Sequence, residues 1–176
     1  MAEKMSLYYD HYASPVGQLL LAADEEGLRF LLFEGEHQAE VSQREQLTRD
    51  PALFGDVRKQ LDAYFGGELK RFSLRLAPQG TAFQKETWMA LREIPYGQTC
   101  SYSDIAHRIN RPKAVRAVGA ANGQNPISII VPCHRVIGKN GTLVGFGGGL
   151  PVKQWLLRHE AEHGDDLLSP KVQKSA

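Results

Sequence analysis

Three short runs, one polar-aromatic and two apolar, each bounded by turn residues, constrain the start of the chain more than any other feature. Residues 7–12 run into Ser14-Pro15-Val16-Gly17, residues 18–23 into Asp24-Glu25-Glu26-Gly27, and residues 28–33 are rich in Leu and Phe. Connections this short cannot carry a parallel crossover, so a three-stranded antiparallel meander is expected. Residues 36–49 are polar and read as a weak helix. Asp50-Pro51 then supplies an N-cap followed by proline at the first helical position. Leu53, Phe54, Val57, Leu61, Tyr64 and Phe65 recur at helical spacing until Gly66-Gly67 stops them. Residues 71–76 alternate before Ala77-Pro78-Gln79-Gly80, the best candidate for a domain boundary.

Beyond that boundary the pattern becomes helical. Thr81 caps a helix holding Phe83, Trp88 and Leu91, which ends before Pro95-Tyr96-Gly97. Ser101 caps a second helix over residues 102–109, Asn110-Arg111-Pro112 forms a tight turn, and residues 113–121 make a third helix of small residues. Two short helices joined by about three residues describe a helix-turn-helix. Gly119 and Ala120 would let its backbone approach a partner closely. After Gly123-Gln124-Asn125-Pro126 comes a largely apolar run, 127–131, and then Pro132-Cys133-His134-Arg135-Val136-Ile137. Asn140-Gly141 signals a turn, residues 145–149 read as a flexible run, and Pro151 opens a last helix reaching Glu160. Residues 164–176 are expected to be a disordered tail.

Charge divides along the same line. Residues 1–80 carry 9 Lys and Arg against 13 Asp and Glu, whereas residues 81–163 carry 10 against 5. A basic half is the electrostatic footprint of a polyanion-binding surface, although the two halves could equally attract each other. No apolar run approaches the roughly 20 residues of a membrane span, and the N-terminus lacks the features of a signal peptide. Cytoplasmic residence without membrane contact is therefore expected. Two cysteines and no spaced Cys/His quartet point to reduced thiols and to neither a metal site nor a cofactor.

Cys133 is the candidate nucleophile. A thiolate rather than a thiol attacks carbon, and cationic or hydrogen-bonding neighbours favour it, while apolar burial opposes it. His134 is the nearest base in sequence, through a bridging water if the side chains do not touch. A single cysteine beside a strand is also often inert core, and Cys100 reads as structural or incidental.

The longer string decides more. Arg116-Ala117-Val118-Gly119-Ala120-Ala121-Asn122, Asn125-Pro126 and Ile130-Val131-Pro132-Cys133-His134-Arg135-Val136-Ile137 resemble the active-site region of the O6-alkylguanine-DNA alkyltransferases. The resemblance extends back through Pro95-Tyr96-Gly97-Gln98 and Ser101-Tyr102, and forward to Lys153-Gln154-Trp155-Leu156-Leu157-Arg158-His159-Glu160. It covers residues 81–163 closely and the first 80 in layout.

It implies an α+β protein with two parts. Residues 1–80 would form a ribonuclease-H-like supporting domain with a small antiparallel sheet and a helix. Residues 81–163 would form a mostly helical, winged-helix-like domain with the helix-turn-helix and the active site. The implied roles are Cys133 as alkyl acceptor, His134 as the base acting through water, Glu160 as its orienting acid and Asn125 as the brace of the nearby turn. Tyr102 would press the target phosphate and hydrogen-bond the base. Arg116 would fill the gap left by a rotated nucleotide, with Ala117, Gly119, Ala120, Asn122 and Arg135 beside it on the DNA. Val136, Phe146, Gly147 and Gly148 would line the base pocket. Some relatives carry serine and tyrosine at Gly147 and Phe146, and methionine at Asn122, which bears on the size of adduct accepted. The implied partner is double-stranded DNA carrying O6-alkylguanine, bound by a monomer. Two other readings remain at this point: a helix-turn-helix DNA-binding protein with an inert Cys133, and a cysteine hydrolase using Cys133, His134 and Glu160.

Overall fold

The computed structural model describes residues 5–141, 143 and 145–164, and within them the meander is present. Strands β1 (Ser6–Ser14), β2 (Gly17–Asp24) and β3 (Gly27–Leu32) pair antiparallel, with Tyr12 opposite Leu19 and Leu20 opposite Leu32. Gly17 and Gly27 open β2 and β3 at φ 107° and 143°, a region that a side chain disfavours. Because successive residues of β2 face opposite ways, Leu19 and Leu21 enter the main core while Leu20 and Ala22 enter a smaller one.

The polar stretch after β3 departs from the single expected helix. It forms a short helix, α1 (Gln38–Arg44), and then a fourth strand, β4 (Gln46–Arg49). β4 lies parallel to β1 and completes the order β3-β2-β1-β4. The outer edge of β1 recruits it, with Gln46 N–H donating to Met5 O at 3.0 Å and Asp50 N–H to Tyr9 O at 3.0 Å. A four-residue strand with neither face fully buried leaves no alternation in the sequence to betray it.

A 3₁₀ turn at Pro51–Phe54 leads into α2 (Gly55–Phe65), and Phe54 of the turn with Val57, Leu61 and Tyr64 of the helix joins the main core. Residues 71–76, whose pattern alternates, make an isolated bridge from Leu76 to Leu28, in which Leu28 N–H donates to Arg75 O and Ala77 N–H to Leu28 O. Farther along the same strand, Leu31 N–H donates to Pro126 O at 2.9 Å and Ser128 N–H to Leu31 O at 3.0 Å. The segment preceding Cys133 is thereby hung from the N-terminal sheet.

The C-terminal half follows its capping signals. Thr81 and Gln84 form a capping box on α3 (Ala82–Arg92), and Ser101 and Asp104 form another on α4 (Tyr102–Arg108). The third helix, α5 (Val115–Gly123), starts two residues after its expected position, without a side-chain cap. Trp88 Nε1 donates to Ala121 O at 2.8 Å and ties α3 to α5. A two-stranded parallel ladder joins β5 (Cys100–Ser101) to β6 (Val136–Ile137), and Gly141 at φ 79° closes the expected turn. The last helix, α6 (Leu150–His163), carries Pro151 in its first turn. The tail expected over residues 164–176 lies outside the described residues apart from Gly164. No described helix is long and apolar enough to cross a membrane.

Candidate active site

Cys133 sits where three segments meet. It opens a 3₁₀ turn, Cys133–Arg135, and is 4 % exposed. The preceding loop is braced from inside: Asn125 Nδ2 donates to Val131 O at 2.8 Å, and its Oδ1 accepts from Ile127 N–H at 3.0 Å. Ile129 within that loop has φ 71°, an uncommon conformation for a β-branched residue. Such a conformation persists where the surroundings overdetermine it, as the Asn125 clamp and the Leu31 ladder do here.

Behind the thiol lies a buried charge cluster. Glu160, on α6, accepts from Arg135 Nε at 2.7 Å and Arg135 Nη2 at 3.1 Å, and from Tyr64 Oη at 2.6 Å. His134 Nε2 is 2.7 Å from Glu160 Oε2. Burial pushes the Glu160 carboxyl up, but the partners His134 and Arg135 more than offset it and hold the group well below the usual carboxylate range. An ionised carboxylate can only accept, so Nε2 of a neutral His134 carries the proton and Nδ1 presents a lone pair. Burial lowers the His134 pKa despite Glu160, which keeps the ring neutral at neutral pH. Among the described residues, Nδ1 has no hydrogen-bond partner. The cluster therefore leaves a neutral base with an available lone pair on the residue after the thiol.

The thiol itself rests protonated. Burial, opposed by Asn125, Lys153 and Ser128 and reinforced by Glu36, pushes Cys133 up to about 11. Lys153, buried on α6, donates to Val136 O at 2.7 Å and lies 5.9 Å from the Phe146 ring centre. Burial brings its ammonium down to about 8, although Cys133 favours the charge. Tyr102, half-buried at the start of α4, is shifted up by burial and then by Cys133, and remains a phenol able to donate.

Cys133, His134, Glu160, Asn125 and Tyr102 are thus brought together, while the residues expected on the outer face divide. On α5, Val118, Ala121 and Asn122 are buried at helical spacing, and Arg116, Ala117 and Ala120 are exposed on the other side. Gly119 is half-buried, and a Cβ there would lie 3.9 Å from Tyr102 Cδ1. Asn122 and Arg135, expected at a DNA surface, are corrected by their burial. Asn122 falls on the inner stripe of α5, its Nδ2 3.5 Å from Cys133 O, and the Arg135 fork is taken by Glu160 and by Ile94 O. Val136 is buried, Phe146 packs on Phe33 with ring centres 5.4 Å apart, and Gly148 lies against the same ring. Sequence reasoning missed Tyr64, Lys153, Ser128 and Glu36. Tyr64 was legible only as core, yet a buried phenol needs a polar partner, and that rule pointed to an unnamed acid. Among the described residues, no three His, Cys, Asp or Glu side chains are grouped to hold a metal ion.

Comparison with known proteins bears on both halves. Residues 7–78 match the family model for the 6-O-methylguanine DNA methyltransferase ribonuclease-like domain, and residues 82–162 match that for its DNA binding domain. A methylated-DNA–protein-cysteine methyltransferase of Methanosarcina acetivorans is 52 % identical over 155 residues, covering 88 % of this chain and 98 % of that protein. One of Haemophilus influenzae is 51 % identical over 156 residues, covering 88 % and 87 %. Among solved structures, Mycobacterium tuberculosis OGT in complex with DNA superposes with a TM-score of 0.83 at 46 % identity, covering 90 % of this chain and 96 % of that one. The O6-methylguanine-DNA methyltransferase of Pyrococcus kodakaraensis shares the fold, with a TM-score of 0.68 at 23 % identity over 88 % of this chain and 98 % of its own.

Proposed function

The chain belongs to the 6-O-methylguanine DNA methyltransferase family, and on that premise we propose that Cys133 is the residue that takes the alkyl group. The protein repairs DNA by moving an alkyl group from the damaged base to a cysteine of its own. Residues 1–80 act as the supporting domain and residues 81–163 carry DNA binding and transfer, in a protein resident in the cytoplasm.

The observation that carries the residue assignment is the buried Glu160–His134 pair beside Cys133. Glu160 holds the Nε2–H tautomer of His134, whose Nδ1 takes the thiol proton through one water. The thiolate then attacks the alkyl carbon in line with the C–O6 bond. A C–S bond forms, the C–O bond breaks, and its electron pair leaves on guanine, where the Tyr102 hydroxyl donates a hydrogen bond or proton to the departing base. The carbonyls of Cys133 and Val136 accept from the guanine amine, since a carbonyl oxygen retains a second lone pair even where Lys153 holds the first. Phe146, Gly147 and Gly148 form the opposite wall. The product is a thioether, which offers water no leaving group, so one protein repairs one base.

An alkyl carbon at O6 lies inside the base stack, and turning the nucleotide out costs a few kcal/mol. Arg116, exposed on the small-residue face of α5, offsets part of that by entering the gap. Arg116→Ala is expected to slow repair of duplex DNA on the order of tenfold or more, the equivalent of ~1.4 kcal/mol of that cost. Single-turnover rates on duplex and single-stranded oligonucleotides check this: the loss should be much smaller on the single strand, and an equal loss on both would remove Arg116 from the flipping step.

The central experiment is direct. Incubation with duplex DNA containing O6-methylguanine, followed by digestion and peptide mass measurement, should show one added methyl on the Cys133 peptide, stoichiometric and then stopping. An unmodified peptide with intact binding would leave a DNA-binding protein with an inert thiol. Repeated release of methanol would indicate a hydrolase.

A further inference from the structure

Glu36 is a buried carboxylate that the chemistry above does not use. It lies in the turn after β3, between Gly35 at φ 77° and His37 at φ 53°. Glycine adopts the left-handed region freely, and histidine enters it more readily than most side chains. Here the turn sends the Glu36 side chain inward, to 6 % exposure. Its Oε1 accepts from Phe33 N–H at 3.2 Å and from Ser128 Oγ at 3.4 Å. Its Oε2 lies directly on Gly147: a Cβ at that glycine would overlap Oε2 and fall 2.6 Å from Cδ. The carboxylate thus occupies the place that a side chain at position 147 would take.

Ser128 also faces the Cys133 thiol, so Glu36, Ser128 and Cys133 connect the N-terminal half to the reacting sulfur. We infer that Glu36 is the resting occupant of the acceptor pocket at Gly147, a positioning residue whose carboxylate the damaged base displaces. The inference rests on the proposal that Cys133 is the acceptor. Around that thiol, burial is the main influence against the thiolate and Glu36 adds to it, while Asn125, Lys153 of α6 and Ser128 favour it. Tyr102 of α4 lies near enough to feel its charge, and His134 follows it on the same turn. Removing a negative charge from this group favours ionisation of the thiol. Arrival of the base would therefore remove one of the influences that hold the thiol protonated, at the moment its electrophile is present. For a protein consumed by one reaction, a thiol quiet toward stray alkylating agents and oxidants preserves repair capacity.

Full-length wild-type, E36Q, E36D and G147A proteins treated with iodoacetamide across the alkaline range, without DNA, test this through the extent of Cys133 modification read by peptide mass. E36Q should lower the midpoint of the pH profile by about one unit, which makes modification below the midpoint roughly tenfold faster. E36D, which keeps the charge, should stay close to wild type. G147A retains the charge but denies it this seat, and should move the profile away from that of wild type. Near-UV circular dichroism reports whether each variant folds, and G147A carries the test if E36Q does not. Profiles of E36Q and G147A that superimpose on wild type would overturn the inference, as would an E36D shift as large as that of E36Q. Methyl appearing on another residue of the wild-type protein after reaction with damaged duplex would overturn the acceptor assignment instead.

Discussion

Replacing Cys133 with serine is expected to abolish methyl transfer from O6-methylguanine in duplex DNA to the protein, while duplex affinity stays close to that of wild type. The loss follows from ionisation. The relay must already draw a proton from a thiol that burial has pushed up to about 11, and an alcohol in the same place is far harder to ionise. Oxygen is also the poorer nucleophile toward an alkyl carbon, so a fall on the order of 10⁴-fold or more is expected. Binding survives because the substitution touches little else. The backbone contacts that seat residue 133 remain, with Val131 O accepting from its N–H at 2.8 Å and Asn122 reaching its carbonyl, and a serine hydroxyl can keep the polar neighbours of the thiol. The exposed face of α5, with Arg116, Ala117 and Ala120, is unaltered. Cys100→Ser is the control. Burial also pushes Cys100 up to about 11, but it lies on β5, outside the Asn125 and Glu160 networks. Peptide mass measurement and fluorescence anisotropy with the same damaged duplex read both halves of the expectation. Transfer that survives in Cys133→Ser, or that fails equally in Cys100→Ser, would move the nucleophile elsewhere.

The parts of this molecule legible in its sequence are those fixed by neighbours along the chain. Thr81 with Gln84 and Ser101 with Asp104 act within one helical turn, so the starts of α3 and α4 could be read directly. The meander was legible because its turns are short and the residues of β2 and β3 form continuous apolar runs between them. β4 was not, because its ladder is set by the free edge of β1 and its own residues are mostly exposed. The same division runs through the site. Cys133 and His134 are adjacent, and the proximity of Glu160 came from the family resemblance. The inward turn of Arg135 was hidden, since basic residues in a basic half suggest a DNA surface, and only the fold shows a buried carboxylate waiting for that guanidinium. Asn122 failed for a simpler reason. A small polar residue gives little warning of which face of a helix it occupies, and α5 places it in register with Val118 and Ala121. Glu36 reaches Gly147 through two left-handed residues after β3, a path that no local pattern encodes.

Glu160→Gln should be the most damaging of the single substitutions for stability, and its cost should depend on pH. Glutamine keeps the shape but removes the charge that faces Arg135, whose guanidinium remains buried with Ile94 O at 2.7 Å. Removing one partner of a buried ion pair costs roughly 3–5 kcal/mol, or a fall in Tm on the order of 10 °C for a chain of this size. The pH window follows from the shifts. Glu160 is held below its unfolded value of about 4.3, so its contribution is fully present above that pH and is lost as pH falls through the folded value. His134, lowered by burial, acts in the same sense, because the unfolded chain binds its proton first as pH falls below about 6.5. The gap between wild type and Glu160→Gln should therefore stay wide at neutral pH and close only in strong acid, as urea unfolding at several pH values would reveal. Equal stability at pH 7 would mean that the cluster does not hold the fold. Transfer should fall as well, since the amide can present its own N–H to His134 and no longer enforces the Nε2–H tautomer. The two effects can be separated. Buried ion pairs replaced together by apolar residues often restore stability. But Glu160 also holds Tyr64 Oη and His134 Nε2, so a Tyr64→Phe, Arg135→Met, Glu160→Leu variant should recover part of the lost stability without recovering transfer. If that variant were both stable and fully active, the buried charge would serve neither purpose. If it is stable and inactive, the cluster is kept for the proton of His134 rather than for the fold.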